Sequence, residues 1–184
     1  MNILALSGSL RAASVNSAFC RAAARLAPAS LRISVYSRLG ALPPFNPDLE
    51  ADPPPAVREF RDAVGGADAL IVASPEYAHG ISGVLKNGLD WLVSFEGFIG
   101  KPVALVNTSP RAHHALDTLR EVLQTMSARI LPEASVTLPL LGACITEDAM
   151  ISSAEIAPKI RRALESLART LDTTVARGPS FPLD

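Results

Sequence analysis

The stretch ILALSGSLRAASVNS, residues 3 to 17, decides how the rest of the chain is read. Ile3, Leu4, Ala5 and Leu6 form an unbroken apolar run bounded by Ser7 and Gly8, the pattern of a short strand covered on both faces. A turn of small residues follows. Helical periodicity then runs from Ser17 to Leu26, with Phe19, Ala22, Ala23 and Leu26 on one stripe. A strand that passes through a tight turn into a helix brings free backbone N–H groups and the positive end of the helix dipole to one point. Ser9, Arg11, Ser14 and Asn16 lie at that point and add hydroxyls, a guanidinium and an amide. The combination suits an anion, and a phosphate is its natural guest.

Outward from that turn, Leu31 to Tyr36 alternates as a second strand. RLGALPPFNPDLEADPPP (38 to 55) is a proline-rich loop that either borders a pocket or crosses the surface. Pro55 to Val64 suits a helix and Ala69 to Ala73 a third strand. In SPEYAHGISGVLKNGLDWL (74 to 92), Ile81, Leu85, Leu89 and Leu92 recur at helical spacing, so loop gives way to helix near Ser82. Pro102 to Val106 is a fourth strand leading into NTSPRAHHA (107 to 115). Leu116, Leu119, Leu123, Met126 and Ile130 mark the next helix face, Ser135 to Leu138 a fifth strand, and Ile156, Ile160, Leu164, Leu167 and Leu171 a closing helix. Five apolar strands alternating with helices imply a parallel sheet with helices on both faces. If the order is 2-1-3-4-5, loops 7 to 16, 74 to 82 and 107 to 114 follow adjacent strands and line one crevice at their carboxyl ends.

A chain of 184 residues supports one well-buried core, so a single domain over 1–184 is expected. The formal net charge of -1 provides no global field for nucleic acid or an anionic membrane, and neither is expected as a partner. There is no secretory leader pattern and no apolar run near the roughly 20 residues of a membrane span, which points to the cytoplasm. Cys20 and Cys144 form no CxxC pattern and read as reduced core or surface thiols. The adjacent His113 and His114 have no accompanying carboxylate or cysteine, and no metal site is expected.

GSLRAASVN (8 to 16) followed by SPEYAHGISGVLKNGLDW (74 to 91) resembles the NADPH-dependent FMN reductase family, flavodoxin-like proteins that include quinone and chromate reductases. The resemblance implies an α/β flavodoxin-like three-layer sandwich, with a five-stranded parallel sheet of order 2-1-3-4-5 and helices on both faces. It also implies FMN as cofactor, NADPH or NADH as co-substrate, and a homodimer or homotetramer with flavin sites near the interface. Carried over by residue, it puts the FMN phosphate on Ser9, Arg11, Ser14 and Asn16, with Ser17 nearby; Ser14 and Asn16 are also candidate helix caps. Pro75, Glu76 and Tyr77 would lie along the flavin ring, chiefly through backbone groups, with the Glu76 carboxylate alternatively in a surface or intersubunit ion pair. Thr108 and Ser109 would meet the flavin edge, and Arg111 either the NADPH phosphate or solvent.

Lys86, Asn87, Asp90 and Trp91 complete the motif and read as fold and assembly residues: Lys86 with Asp90 as a surface pair, Trp91 in a core or interface, and Leu85, Leu89 and Leu92 as a stripe facing another subunit. The chain departs from the commonest family form at Ala78 to Gly83 and at Asn107 to His114. No side chain is expected to act as acid, base or nucleophile, because the hydride chemistry belongs to the flavin and the protein binds and orients it. The acceptor implied is free flavin, a quinone or another small oxidant. The competing readings are a flavodoxin-type carrier serving a protein partner, disfavoured by the near-neutral charge, and a flavin-free binding module.

Overall fold

The computed structural model describes residues 1–109, 113–140 and 145–177, with side chains described as far as 173. The three-layer arrangement is the expected one. β1 (Asn2–Ser7) is flanked by β2 (Arg32–Tyr36) and β3 (Ala69–Ala73), and β3 is followed outward by β6 (Pro102–Asn107), all parallel. The strand order begins 2-1-3 and continues to β6, the fourth strand expected from sequence.

The fifth position differs from expectation. It is filled by two short strands, β7 (Arg129–Ile130) and β8 (Val136–Thr137), which pair with the first and last parts of β6. Ile130 therefore lies in a strand and not on the preceding helix, and the strand expected over Ser135–Leu138 is shorter. The gap between them is bridged by a side chain. Leu105 donates its N–H to Ser135 Oγ at 2.9 Å, and that hydroxyl donates to the carbonyl of Leu131 at 2.8 Å. Pro132 in this excursion has no N–H to offer a ladder.

A two-stranded antiparallel hairpin, β4 (Glu76–Tyr77) with β5 (Gly80–Ile81), stands apart from the main sheet and was not foreseen. One face of the sheet is covered by α1 (Val15–Leu26), α5 (Glu147–Ser152) and α6 (Ile156–Arg177), the other by α2 (Pro55–Gly65), α3 (Gly83–Asp90) and α4 (His113–Thr125). Cys20 lies in the first core, where burial pushes its thiol up to about 12 and leaves it protonated and inert. Cys144 lies outside the described residues. Leu85, Leu89, Trp91 and Leu92 are all at most 1% exposed inside the second core, so the stripe expected to face another subunit packs within this chain instead.

The proline-rich loop is fastened to α3 by the motif residues. Pro43 and Pro44 cannot donate through their nitrogens, but the Pro43 carbonyl accepts from Asn87 Nδ2 at 3.0 Å and from Trp91 Nε1 at 2.8 Å. Phe45 returns its own N–H to Asn87 Oδ1 at 2.8 Å, and its ring meets Trp91 edge-on at 5.1 Å. Lys86 pairs with Asp90 on the surface, as expected. Replacing Asn87 by Ala leaves the partly buried Phe45 N–H unpaired and the Pro43 carbonyl with Trp91 alone, and is expected to cost about 1–3 kcal/mol in urea unfolding, whereas Lys86→Ala changes stability by less than about 1 kcal/mol.

Candidate functional site

Among the described residues, the buried polar side chains are Ser7, Ser14, Asn16, Ser82, Asn107 and Thr108. All of them lie at the carboxyl ends of β1 and β6 or at the first turns of α1 and α3. Buried polar groups cost free energy unless partnered, so their concentration at one end of the sheet marks where the chain is built for something other than packing.

The turn after β1 is held by its own hydroxyls. Ser14 caps α1, accepting the N–H of Ser17 at 3.2 Å, so the helix begins at Val15, two residues before the sequence reading placed it. Ser7 and Ser17 share a 2.8 Å hydroxyl contact, Ser9 N–H turns toward Ser7 Oγ at 3.4 Å, and Arg11 N–H toward Ser9 Oγ at 3.4 Å. Gly8 has no alternative. A Cβ there would stand 2.7 Å from Ser82 Oγ and 3.1 Å from the Leu85 Cβ, where α3 is pressed against the turn. The first turn of α1 carries no acidic residue, so its positive end is not neutralised. Arg11 is exposed at the rim and takes part in no ion pair among the described residues.

The second loop leaves β3 at Ser74 and Pro75 and becomes the hairpin. Its two-residue turn puts Ala78 at φ 49° and His79 at φ 59°, the backbone that Asn-Gly usually supplies. The Glu76 carboxylate accepts the N–H of Ala115 at 2.9 Å and so caps the start of α4. The His79 and His114 rings stack at 4.5 Å and 13°, with His113 also 4.5 Å from His114, which gives the hairpin a second attachment to α4. Among the described residues, no group of three or more His, Cys, Asp or Glu is placed to hold a metal ion.

In the third loop, Ser109 donates its N–H to Asn107 Oδ1 at 3.0 Å, a local turn closure. Thr108 Oγ1 donates to Asn16 Oδ1 at 2.9 Å, and the Thr108 carbonyl accepts from Leu140 N–H at 3.0 Å. Arg111 lies outside the described residues.

These loops enclose a cleft of about 420 Å³, within the range of small-molecule sites. Ser9, Arg11, Ser14, Asn16, Pro75, Glu76, Tyr77, Thr108 and Ser109 all line it. Ser17 stands behind the lining, against Ser7. Ser74 and Leu140 are further lining residues that the sequence reading did not single out. Ser74 adjoins Pro75 at a strand end and was findable there; Leu140 follows the split fifth strand and carried no signal.

Comparison with known proteins places the chain among flavoenzymes. A family model described as NADPH-dependent FMN reductase matches residues 1–140. An NAD(P)H-dependent FMN reductase of Pseudomonas aeruginosa is 40% identical over 112 residues, 59% of this chain and 60% of that protein. A quinone reductase of Pseudomonas putida is 35% identical over 139 residues, 73% of this chain and 74% of that protein. Among solved structures, the flavoenzyme NAD(P)H:(acceptor) oxidoreductase FerB of Paracoccus denitrificans superposes with a TM-score of 0.78 at 26% identity, covering 94% of this chain and 97% of its own.

A left-handed backbone costs an alanine roughly 1–2 kcal/mol that glycine largely escapes. Ala78→Gly is therefore expected to raise the melting temperature by about 2–4 °C for each kcal/mol regained. Glu76→Ala, which uncaps α4, should lower unfolding free energy by about 0.5–2 kcal/mol in urea melts.

Proposed function

This chain belongs to the NADPH-dependent FMN reductase family, and we propose that its cleft holds FMN and that the protein catalyses hydride transfer from NADPH or NADH, through FMN, to a small acceptor such as a quinone or free flavin. One observation carries the reading. Nine residues from three loops, singled out by motif and spacing, line a single cleft at the amino end of α1.

The donor set fits the group. The uncompensated helix end, the Ser9 hydroxyl, the Arg11 guanidinium and the Asn16 amide suit a phosphate dianion, with Ser14 and Ser17 shaping the turn that presents them. Gly8 lets α3 close on the turn from behind, so the backbone is ordered before a ligand arrives. Pro75, Glu76 and Tyr77 along the hairpin, with Ser109 opposite, would flank the ring system. Glu76 contributes by position: its carboxylate is held at the start of α4, so its backbone would be the part to face the ring. Tyr77 is 58% exposed and presents its ring at the cleft rim. Bound there, FMN supplies the hydride-accepting and hydride-donating chemistry. The protein's part is to orient the reactants and leave one side of the cleft open to them.

The same reading takes the chain as one domain over 1–184, cytoplasmic, and assembled as a homodimer or homotetramer. No described helix is long and apolar enough to cross a membrane.

The test is FMN titration followed by NADPH and NADH oxidation with a quinone and with free FMN. A protein that binds no FMN would overturn the reading, and one that binds FMN without oxidising either nucleotide would remove the reductase part. Arg11→Ala should weaken FMN binding by about 1.5–3 kcal/mol, roughly 10- to 150-fold, measured by flavin fluorescence.

A further inference from the structure

β1 and β6 are not neighbours in the sheet, because β3 runs between them. The bond from Thr108 Oγ1 to Asn16 Oδ1 therefore crosses over the end of β3 and joins residues 92 apart in sequence. Both partners are buried, at 6% exposure each. Asn16 is the second residue of α1 and lines the cleft at the helix end. Its carbonyl oxygen is taken by Thr108. Its –NH2 group makes no hydrogen bond within the protein among the described residues, and it is not among the sealed, unpartnered polar atoms, so it opens onto the cleft. Thr108 is itself pinned from behind, through its carbonyl, by Leu140 N–H.

We propose that Thr108 is a positioning residue for the phosphate end of the site: by donating to Asn16 Oδ1 it holds the carboxamide with its –NH2 turned toward an anion in the cleft. The inference rests on the FMN reading above and moves Thr108 from the flavin edge to the opposite end of the ligand. The physical ground is the asymmetry of an amide. One orientation offers an anion two N–H donors, whereas the reverse offers it a repelling carbonyl oxygen. A buried hydroxyl whose proton goes to the amide oxygen favours the first.

The experiment uses the full chain and compares FMN with riboflavin, which has the same ring without the phosphate. Thr108→Val should weaken FMN binding roughly tenfold while leaving riboflavin binding within about twofold, and Thr108→Ser should restore most of the loss. In an Asn16→Ala background, Thr108→Val should add little, because its effect passes through the amide. Asn16→Asp keeps an acceptor for Thr108 but replaces the –NH2 by a carboxylate oxygen. It should lose FMN more than tenfold with riboflavin unchanged; if the valine variant fails to fold, the smaller Thr108→Ala, set against Thr108→Ser, provides the test with the same expected outcomes. Equal loss of FMN and riboflavin in Thr108→Val, or losses that multiply in the double variant, would overturn the proposal while leaving the FMN reading standing. A wild-type protein that binds neither ligand would overturn both.

Discussion

The constraint on which the site depends is the closeness of α3 to the turn after β1. With Ser82 Oγ 2.7 Å from where a Gly8 Cβ would stand, the two elements meet with no room for a side chain. Ser82 is itself the cap of α3, accepting Leu85 N–H at 3.3 Å, so its hydroxyl closes a helix end and forms the wall against which the turn is folded. Gly8 also donates its N–H to the Ala73 carbonyl at 2.9 Å, tying the start of the turn to the end of β3. The turn is thus anchored at Gly8 and again at Ser14, which limits the span left free between them.

The core of the fold was legible because its signals are local. The apolar runs of β1, β3 and β6 are each long enough to read as buried strands, and the change of period near Ser82 marks the start of α3, whereas the periodicity of α1 shows only from Ser17. The cleft residues of the opening turn were legible for the same reason, since turn chemistry and helix start coincide within one short segment. What escaped depends on distant partners. Ile130 continues the helical spacing of Leu116 to Met126, so periodicity alone extended the helix into what is β7. Ser135 looks like a strand residue, and only its two hydrogen bonds show it replacing a missing ladder rung. The hairpin was hidden because Ala78 and His79 carry no turn signal, although both adopt positive φ. Glu76 found its partner at Ala115, a backbone group no spacing rule connects to it.

The helical half of the long motif turns out to organise the protein inward. Asn87 and Trp91 look out from α3 onto the proline-rich loop, and they work because prolines leave their carbonyls available while offering no competing donor. Arg61 adds to the same fastening, donating to the Trp91 carbonyl at 2.9 Å and lying over the Phe95 ring at 5.7 Å. The loop is thus tied at Pro43 and Phe45 to the end of α3.

The divided fifth strand has a consequence for how the molecule meets its own kind. An open parallel sheet presents a row of unpaired backbone groups along its last strand, which is a template for another chain to add to. Here that margin consists of two strands of two residues each, separated by an excursion containing Pro132, with Ser135 spending its hydroxyl on the inward neighbour. Among the described residues of this margin, neither strand is long enough to recruit a passing one. The break that obscured β7 and β8 in the sequence therefore guards this edge of the sheet against runaway stacking.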